Sequence, residues 1–212
     1  MLLKALRFAY RAVNKVLPLD YTYVYQLDLK QERNDEDSPS GGFDLRFLSA
    51  DEILRFSADP ANDLGDDTQK LLDRMGRIEC LACLNHDNQL AGYAWFASEK
   101  VLPDENCAGP AFRGLGMQLG ERAVYQFKVF VRPEFRGKRI AGQLFNEAKK
   151  SFASRGIRYM VTTTDWSNKS FQRAADRFGF QSVSRTIECK LFGRHFYRIA
   201  KPQQRLGFQL TP

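Results

Sequence analysis

Short segments rich in Tyr, Val, Ile, Leu and Phe recur along this chain and are separated by polar, turn-forming residues. Such segments predict β-strands. The sequence His-Asp-Asn-Gln at 86–89 lies between two of them and predicts a hairpin turn. The predicted strands are residues 21–29, 43–48, 80–84, 90–97, 123–131, 159–163, 182–191 and 195–199.

Helices are predicted before and between the strands. Ser49 is followed three residues later by Glu52, the pattern of a capping box, so a helix should begin near Ala50. Residues 99–120 are rich in Gly and Pro and predict an irregular loop. The other predicted helices are residues 2–17, 66–74, 140–154 and 170–178.

The order of these elements divides the chain into two parts. Residues 1–42 contain the first helix, the first strand and an acidic Ser/Pro/Gly linker at 31–42, and we predict an N-terminal extension here. Residues 43–205 form the predicted domain. Its last part alternates strand, helix and strand, which implies a parallel crossover in an otherwise antiparallel sheet. We therefore predict a mixed α/β fold with a largely antiparallel sheet and one parallel β-α-β unit.

The composition agrees with a compact domain. Of 212 residues, 43% are hydrophobic and 27% are charged, which suits one domain with a packed core. No apolar segment approaches the length of about 20 residues that a membrane span needs. Basic residues interrupt the first 17 positions, unlike a signal peptide. We therefore expect a soluble, cytoplasmic protein, and its four cysteines do not make a disulfide framework.

The net charge of +7 is unevenly distributed. Residues 120–212 hold 19 basic and 6 acidic residues, whereas residues 1–119 hold 13 basic and 19 acidic residues. A basic half predicts an anionic partner, which nucleic acid, anionic lipid or a phosphorylated cofactor would each supply. Charge alone leaves these three classes open.

The segment 129–141, VFVRPEFRGKRIA, runs from the end of a predicted strand into a predicted helix. The first amides of a helix lack intrahelical partners and lie at the positive end of its dipole, so they bind phosphate oxygens. Gly137 allows close approach of the backbone, and Arg136, Lys138 and Arg139 add positive charge. The segment predicts a phosphate site, and the alternative is a basic helix start with nothing bound.

This segment resembles the acetyl-CoA motif of the GNAT N-acetyltransferases, Arg/Gln-x-x-Gly-x-Gly/Ala. Arg136 and Ala141 match its first and last positions. Residues 168–180 resemble a second block of the family, Asn-x-x-(Ala/Ser)…Leu-Gly-Phe, with Asn168 at its start and Gly179 near its end. The order and spacing of the two motifs extend the resemblance over residues 43–200.

The resemblance implies an acyltransferase that moves an acetyl or other acyl group from acyl-CoA to a small primary amine, which attacks directly. It implies that loop amides hold the pyrophosphate, and that the preceding strand holds the pantetheine and polarises the thioester carbonyl. The implied acetyl-CoA-binding residues are Val129, Phe130, Val131, Arg136, Gly137, Lys138, Arg139, Ile140, Ala141, Asn168, Ser170 and Phe171.

Two positions depart from the family pattern. Arg139 stands where the family usually has Gly, and we expect a helical backbone there that tolerates a side chain. Ala175 stands where the family often has a Tyr that protonates the leaving thiolate. A water molecule, Ser170 or Tyr159 is an alternative acid. A protein that binds acetyl-CoA without catalysing transfer is the alternative function.

The general base also remains open. The position that often carries a Glu in the family falls on Tyr125, and the nearest carboxylate belongs to Glu121. Asp165, at the end of the neighbouring predicted strand, is the third candidate. An acceptor amine of low pKa needs a base less, because part of it is neutral at pH 7.

The predicted helix over residues 2–17 carries basic and apolar residues on different faces. We expect it to dock on the protein's own core. A peripheral contact with the inner face of the membrane and a homodimer contact are the alternatives. The peripheral contact would suit an acceptor on a lipid carrier or an envelope precursor.

Two further patterns predict packing rather than chemistry. Cys80 and Cys83 have the spacing of a metal or redox pair, but residues i and i+3 of a strand point to opposite faces, so we expect buried thiols and no metal. Tyr21, Tyr23 and Tyr25 predict one face of a strand against the core. We expect no nucleic acid partner, because a phosphorylated co-substrate already accounts for the basic charge.

Overall fold

The structure is a computed structural model that describes residues 19–30, 42–64, 68–106, 114–192, 194–200 and 207–211. The described residues form two compact units. The first unit is drawn from residues 1–28, 100–120 and 161–212, and the second from residues 29–99 and 121–160. The predicted helix 2–17 and most of the predicted linker 31–42 lie outside the described residues.

The main sheet of the first unit has the strand order β10-β9-β1-β8. The first strand pairs antiparallel with β9, from Leu19 opposite Cys189 to Gln26 opposite Gln181, and β9 continues into the antiparallel hairpin with β10. The residues predicted to belong to an N-terminal extension therefore form an interior strand of this sheet. The strands are β1 (Leu19–Asp28), β8 (Tyr159–Asp165), β9 (Gln181–Leu191) and β10 (Arg194–Ile199).

Of the three tyrosines that were predicted to face the core, Tyr25 is buried as expected, whereas the other two are not. Tyr21 and Tyr23 are half-buried and their rings meet edge to face, with centroids 5.6 Å apart. The opposite face buries Asp20, Thr22 and Val24 instead. This face is strongly polar, since it carries a carboxylate and a hydroxyl beside a single aliphatic side chain.

Helix α4 (Lys169–Phe178) connects β8 to β9. The side chain of Asn168 caps its first turn, and Gly179 ends it in the left-handed conformation with φ 89°, as expected for a C-terminal glycine. Gln172 and Ala175 are its buried residues. The second motif therefore begins and ends at the two caps of one helix.

A small second sheet of the first unit was not predicted. Its strand order is β11-β6-β5, with β11 antiparallel to β6 and β6 antiparallel to β5. The prediction of an irregular loop over 99–120 was therefore wrong for these residues, where Val101, Met117 and Leu119 are buried. The elements are β5 (Lys100–Val101), a 3₁₀ helix (Pro103–Asn106), β6 (Gly116–Leu119) and β11 (Phe208–Thr211).

The sheet of the second unit has the order β7-β4-β3-β2, with every pair antiparallel. Its strands and helices follow the predicted order, and the capping box at Ser49 is present in full. The helix predicted over 66–74 is shorter than expected. The elements are β2 (Asp44–Phe47), α1 (Ala50–Ser57), a 3₁₀ helix (Pro60–Asn62), α2 (Thr68–Leu72), β3 (Ile78–Leu84), β4 (Leu90–Ala97), β7 (Ala123–Val131), a 3₁₀ helix (Pro133–Phe135) and α3 (Ile140–Ser154).

The parallel crossover is confirmed at the start of β8. The amides of Arg158 and Tyr159 donate to the carbonyl oxygen of Arg122, at 2.8 and 3.0 Å. Arg122 precedes β7 and Arg158 precedes β8, so this contact joins the two ends of the segment that contains β7 and α3. The fold is mixed α/β with a mostly antiparallel sheet, as predicted.

The core of the second unit lies along β3, β4 and the inner face of α3. All eight residues of β4 are buried, and Leu144 and Phe152 of α3 are almost fully enclosed. Cys80 and Cys83 are buried free thiols, and burial raises the pKa of Cys83 to about 12. The described residues contain no His, Cys, Asp and Glu group that suits a metal ion. They also contain no helix long and apolar enough to cross a membrane.

Candidate active site

A β-bulge deforms β7 shortly before it ends. Ala94 of β4 pairs with Val129, whereas the next residue, Trp95, pairs with Phe127, so Lys128 is the extra residue. Lys128 has φ 42°, an uncommon conformation for a long side chain. Its ammonium donates to the carbonyl oxygen of Leu64 at 3.3 Å. Bulges of this kind change the direction of a strand, often beside an active site, and no local pattern in the sequence predicts this one.

The loop after β7 contains two residues with left-handed backbone. Gly137 has φ 81°, and Arg139, the residue before α3, has φ 59° and ψ 22°. The expectation of a helical backbone at Arg139 was therefore wrong, and the position has the conformation that favours the family's usual Gly. Turns of this kind direct successive amides to one side and form concavities that bind anions.

The N-terminus of α3 has no side-chain cap. The first amides of a helix have no partner within it. The loop and first-turn amides without an acceptor among the described residues belong to Gly137, Arg139, Ile140, Ala141 and Gly142.

The three basic residues of the loop are neighbours in the chain of the residues with free amides. Arg136, Lys138 and Arg139 are exposed, and none forms an ion pair with an acidic residue in the described ranges. The ammonium of Lys138 lies 5.1 Å from the centroid of the Phe135 ring. Positive charge and free amides therefore coincide at the start of α3.

Arg132 anchors the start of the loop. Its guanidinium donates to Glu134 at 2.7 Å, to Asp59 at 3.2 Å and to Asn62 at 3.1 Å. A backbone hydrogen bond at Glu134 is the main reason why the pKa of that carboxyl lies below its usual value, and Arg132 contributes. This network ties the loop to the 3₁₀ helix over Pro60–Asn62, and sequence reasoning missed it because Asp59 and Asn62 are about 70 positions away in the chain.

Gly92 of β4 permits close approach of the strand to this loop. A Cβ atom added at Gly92 would lie 2.7 Å from the carbonyl oxygen of Phe130 and 3.0 Å from Cγ2 of Ile140. Such distances require a shift of the backbone or of the helix start. A glycine inside a strand was the available signal for this contact.

A family model described as Acetyltransferase (GNAT) family matches residues 47–180, which is more than half of the chain. The chain belongs to the GNAT acetyltransferase family. The match contains the strand β7, the loop and α3, together with the second motif up to Phe180.

Solved structures share the fold of this GNAT protein at low sequence identity. A tandem GNAT protein from the clavulanic acid biosynthesis pathway is 16% identical, with a TM-score of 0.55 over 92% of this chain and 59% of that chain. A GCN5-related N-acetyltransferase from Sphaerobacter thermophilus is 18% identical, with a TM-score of 0.53 over 94% of this chain and 58% of that chain. The chain thus spans less than two thirds of these two proteins. No curated protein matches it.

Two of the three predicted base residues of this GNAT protein lie in the second unit. Glu121 is exposed in the turn before β7, and its separation from Val129 corresponds to about 26 Å along a strand. Tyr125 is buried, and its ring stacks on Phe127 with centroids 6.1 Å apart, so it has a packing role.

The remaining predicted site residues lie in the first unit. Asp165 ends β8, and its carboxylate accepts the amide of Ser167 at 2.6 Å. Asn168 accepts the amide of Phe171 at 3.1 Å and therefore serves as the helix cap. Ser170 is exposed in the first turn of α4. Ala175, at the position of the family's frequent Tyr, is only 2% exposed.

Proposed function

We propose that this GNAT protein transfers an acetyl group from acetyl-CoA to a primary amine. The observation that carries the proposal is the uncapped start of α3, where free amides, two left-handed residues and three basic side chains occur within residues 136–142. Oxygen-rich, doubly charged groups such as a pyrophosphate are the natural ligands of such a helix start. The family relationship supports CoA as the carrier of that pyrophosphate.

The loop residues have distinct roles in this proposal. The free amides at the start of α3 donate to pyrophosphate oxygens, while Arg136 and Lys138 add charge from exposed positions. Arg132 keeps the loop in place through its bonds to Asp59 and Asn62, without contact with the ligand.

The end of β7 positions the acyl group. Beyond the bulge at Lys128, the backbone of Val129, Phe130 and Val131 pairs with β4 along one edge. We place the pantetheine along the other edge, where an amide of this segment polarises the thioester carbonyl and stabilises the developing oxyanion. Catalysis then comes mainly from positioning the thioester and the amine together.

Proton transfer requires little from the protein under this mechanism. The amine attacks in its neutral form, the C–N bond forms and the C–S bond breaks, and CoA leaves as a thiolate. A thiol with a pKa of about 8.5 is a tolerable leaving group without direct protonation. Buried Ala175 cannot protonate the leaving thiolate, so we propose that water or Ser170 donates this proton. Asp165 remains our candidate for the base.

Gly137→Asp tests the phosphate site. The substitution places a negative charge among the loop amides and should abolish acetyl-CoA binding, measured by calorimetry and by thermal shift. Gly156→Asp is the matched control, because Gly156 follows the other end of α3 with φ 83° and open space around its Cβ position, as at Gly137. Equal acetyl-CoA affinity in the wild type and Gly137→Asp would exclude this site.

A protein that binds acetyl-CoA without acetylating an amine is the second candidate function, and buried Ala175 is the observation that favours it. A thiol-release assay separates the two functions, with acetyl-CoA and longer acyl-CoAs tested against amino acids, amino sugars, polyamines and peptides. Thiol release that depends on the amine supports transfer. Tight acetyl-CoA binding with no release for any amine supports a regulator.

A third arrangement places the acceptor at a membrane, with residues 1–17 as the contact. Co-sedimentation with anionic vesicles at low salt, lost at high salt, is its expected result. An unchanged result after deletion of residues 1–17 would exclude that segment as the contact.

A further inference from the structure

A row of polar side chains crosses three neighbouring strands of the first unit. Asp20 of β1 is the register partner of Glu188 of β9, and Glu188 is the register partner of Tyr197 of β10. Directly opposed residues place their side chains on one face of a sheet, with Cβ atoms about 5 Å apart. Asp20 and Glu188 are only 8% and 3% exposed. Two carboxylates therefore share a buried surface.

Glu188 is held from several sides. One carboxylate oxygen lies 2.6 Å from Nδ1 of His195 and accepts the hydroxyl of Tyr197 at 3.3 Å. The other oxygen accepts the amide of Gly114 at 3.0 Å. These contacts fix the position of the Glu188 side chain.

Asp20 is held from one side only. Its Oδ2 accepts the hydroxyl of Thr22 at 2.7 Å, whereas its Oδ1 is buried and has no partner among the described residues. The pKa of Asp20 is raised to about 6, mainly by burial, and the charges of Asp165 and Glu188 contribute to this rise. A buried carboxylate oxygen beside a second carboxylate is costly when no donor from the protein satisfies it.

We propose that Asp20 and Glu188 form a binding site for the ammonium group of an amine ligand. An ammonium supplies the donor that Oδ1 of Asp20 lacks and the positive charge that the pair of carboxylates favours. An amine that carries its own carboxylate would be repelled by the same pair. The site therefore selects amines without a carboxylate, such as polyamines and amino sugars, over amino acids.

The existence of this site does not depend on acyl transfer. Its use by the acceptor of the reaction rests on the proposed function. The ammonium group that binds there could belong to the acceptor of the reaction or to a regulatory amine. The experiments below distinguish these two kinds of ligand.

Asp20→Asn is the test variant, since it removes the charge and preserves the shape. Asp28→Asn, on the same strand, is the matched control. Spermidine, glucosamine and glycine are the probes, measured by calorimetry at pH 7.5 in an amine-free buffer of constant ionic strength. We expect spermidine or glucosamine to bind wild type and Asp28→Asn equally and to bind Asp20→Asn at least about tenfold more weakly, with glycine not binding. Acetyl-CoA affinity should be equal in all three proteins, which separates this test from that of the loop.

A second measurement needs only the wild-type protein. Affinity for the bound probe should weaken as the pH falls from 7.5 to 5, since Asp20 takes up a proton instead of the ammonium. No binding of any amine to the wild type, or equal binding by Asp20→Asn, would overturn the proposal and leave a carboxyl pair that holds only a proton.

In the thiol-release assay, a higher KM for the amine in Asp20→Asn with an unchanged KM for acetyl-CoA assigns the site to the acceptor. A probe that binds through Asp20 but is not acetylated supports the site and assigns it to a regulatory amine.

Discussion

Substitutions of Arg139 separate two effects: its backbone conformation affects the stability of the fold, and its side-chain charge affects acetyl-CoA binding. Its backbone is left-handed, with φ 59° and ψ 22°, a conformation that costs an L-residue about 1–2 kcal/mol. Glycine avoids that cost but loses more chain entropy on folding, which offsets about 0.5–1 kcal/mol. We therefore expect Arg139→Gly to be more stable than Arg139→Ala by about 0.5–1 kcal/mol.

The two variants share every other effect. Both remove an exposed guanidinium that has no acidic partner among the described residues, so the difference in their stability reports the backbone alone. Both also remove one positive charge beside the free amides of α3. Acetyl-CoA affinity should therefore fall by a similar factor in each, about threefold to tenfold.

Urea unfolding gives the stability difference, and calorimetry with acetyl-CoA gives the affinities. For a chain of this size, 1 kcal/mol corresponds to a melting shift of about 2–4 °C. Gly156→Ala calibrates the penalty, because Gly156 has φ 83° and nothing within 4 Å of its added Cβ. If Gly156→Ala loses stability but Arg139→Ala equals Arg139→Gly, the left-handed assignment at Arg139 is refuted.

Three further predictions concern other parts of the molecule. Asp20 has a folded-state pKa of about 6 against an ordinary value of 3.8, so the folded protein binds this proton more tightly and should lose about 2 kcal/mol of stability as the pH rises from 4 to 6. Urea unfolding across this range in an amine-free buffer should show the loss, and Asp20→Asn should remove it. Ala175→Tyr should destabilise the protein by about 1–3 kcal/mol, measured by urea unfolding, because a buried alanine leaves no room for the ring. Arg132→Lys keeps the charge but loses the forked contacts, so calorimetry should give weaker acetyl-CoA binding although the side chain does not touch the ligand; unchanged binding would contradict an anchoring role.

Elements with signals at both ends were predictable from sequence. The strand over 123–131 and the helix over 140–154 have the predicted bounds, because polar turn residues flank the first and a single apolar period runs through the second. Asn168 and Gly179 likewise mark the two ends of α4. The anion-binding loop was predictable for the same reason, since its chemistry is contiguous in the chain.

Features that depend on distant residues were not predictable. The strand over 116–119 is short and pairs with 208–211, about 90 positions later, so no local pattern could reveal it. The polar face of β1 is another example. Its Tyr residues gave the stronger local pattern, whereas the buried pair of Asp20 and Glu188 exists only because β1 inserts beside β9.

The unusual backbone conformations of the second unit indicate where local preference yields to a functional requirement. Asn88, in the β3–β4 turn, has a positive φ, but Asn tolerates this conformation at low cost. Glu99, Lys128 and Arg139 do not share that tolerance. Of these three, Lys128 and Arg139 lie in the segment from the end of β7 to the start of α3, which we assign to acetyl-CoA. Strain of this kind persists only where surrounding contacts impose it, here the amine of Lys128 on Leu64 and the anchoring of the loop by Arg132. Because contacts within the protein hold both residues in these conformations, we expect a preorganised loop, so that acetyl-CoA binding requires little rearrangement of residues 128–139.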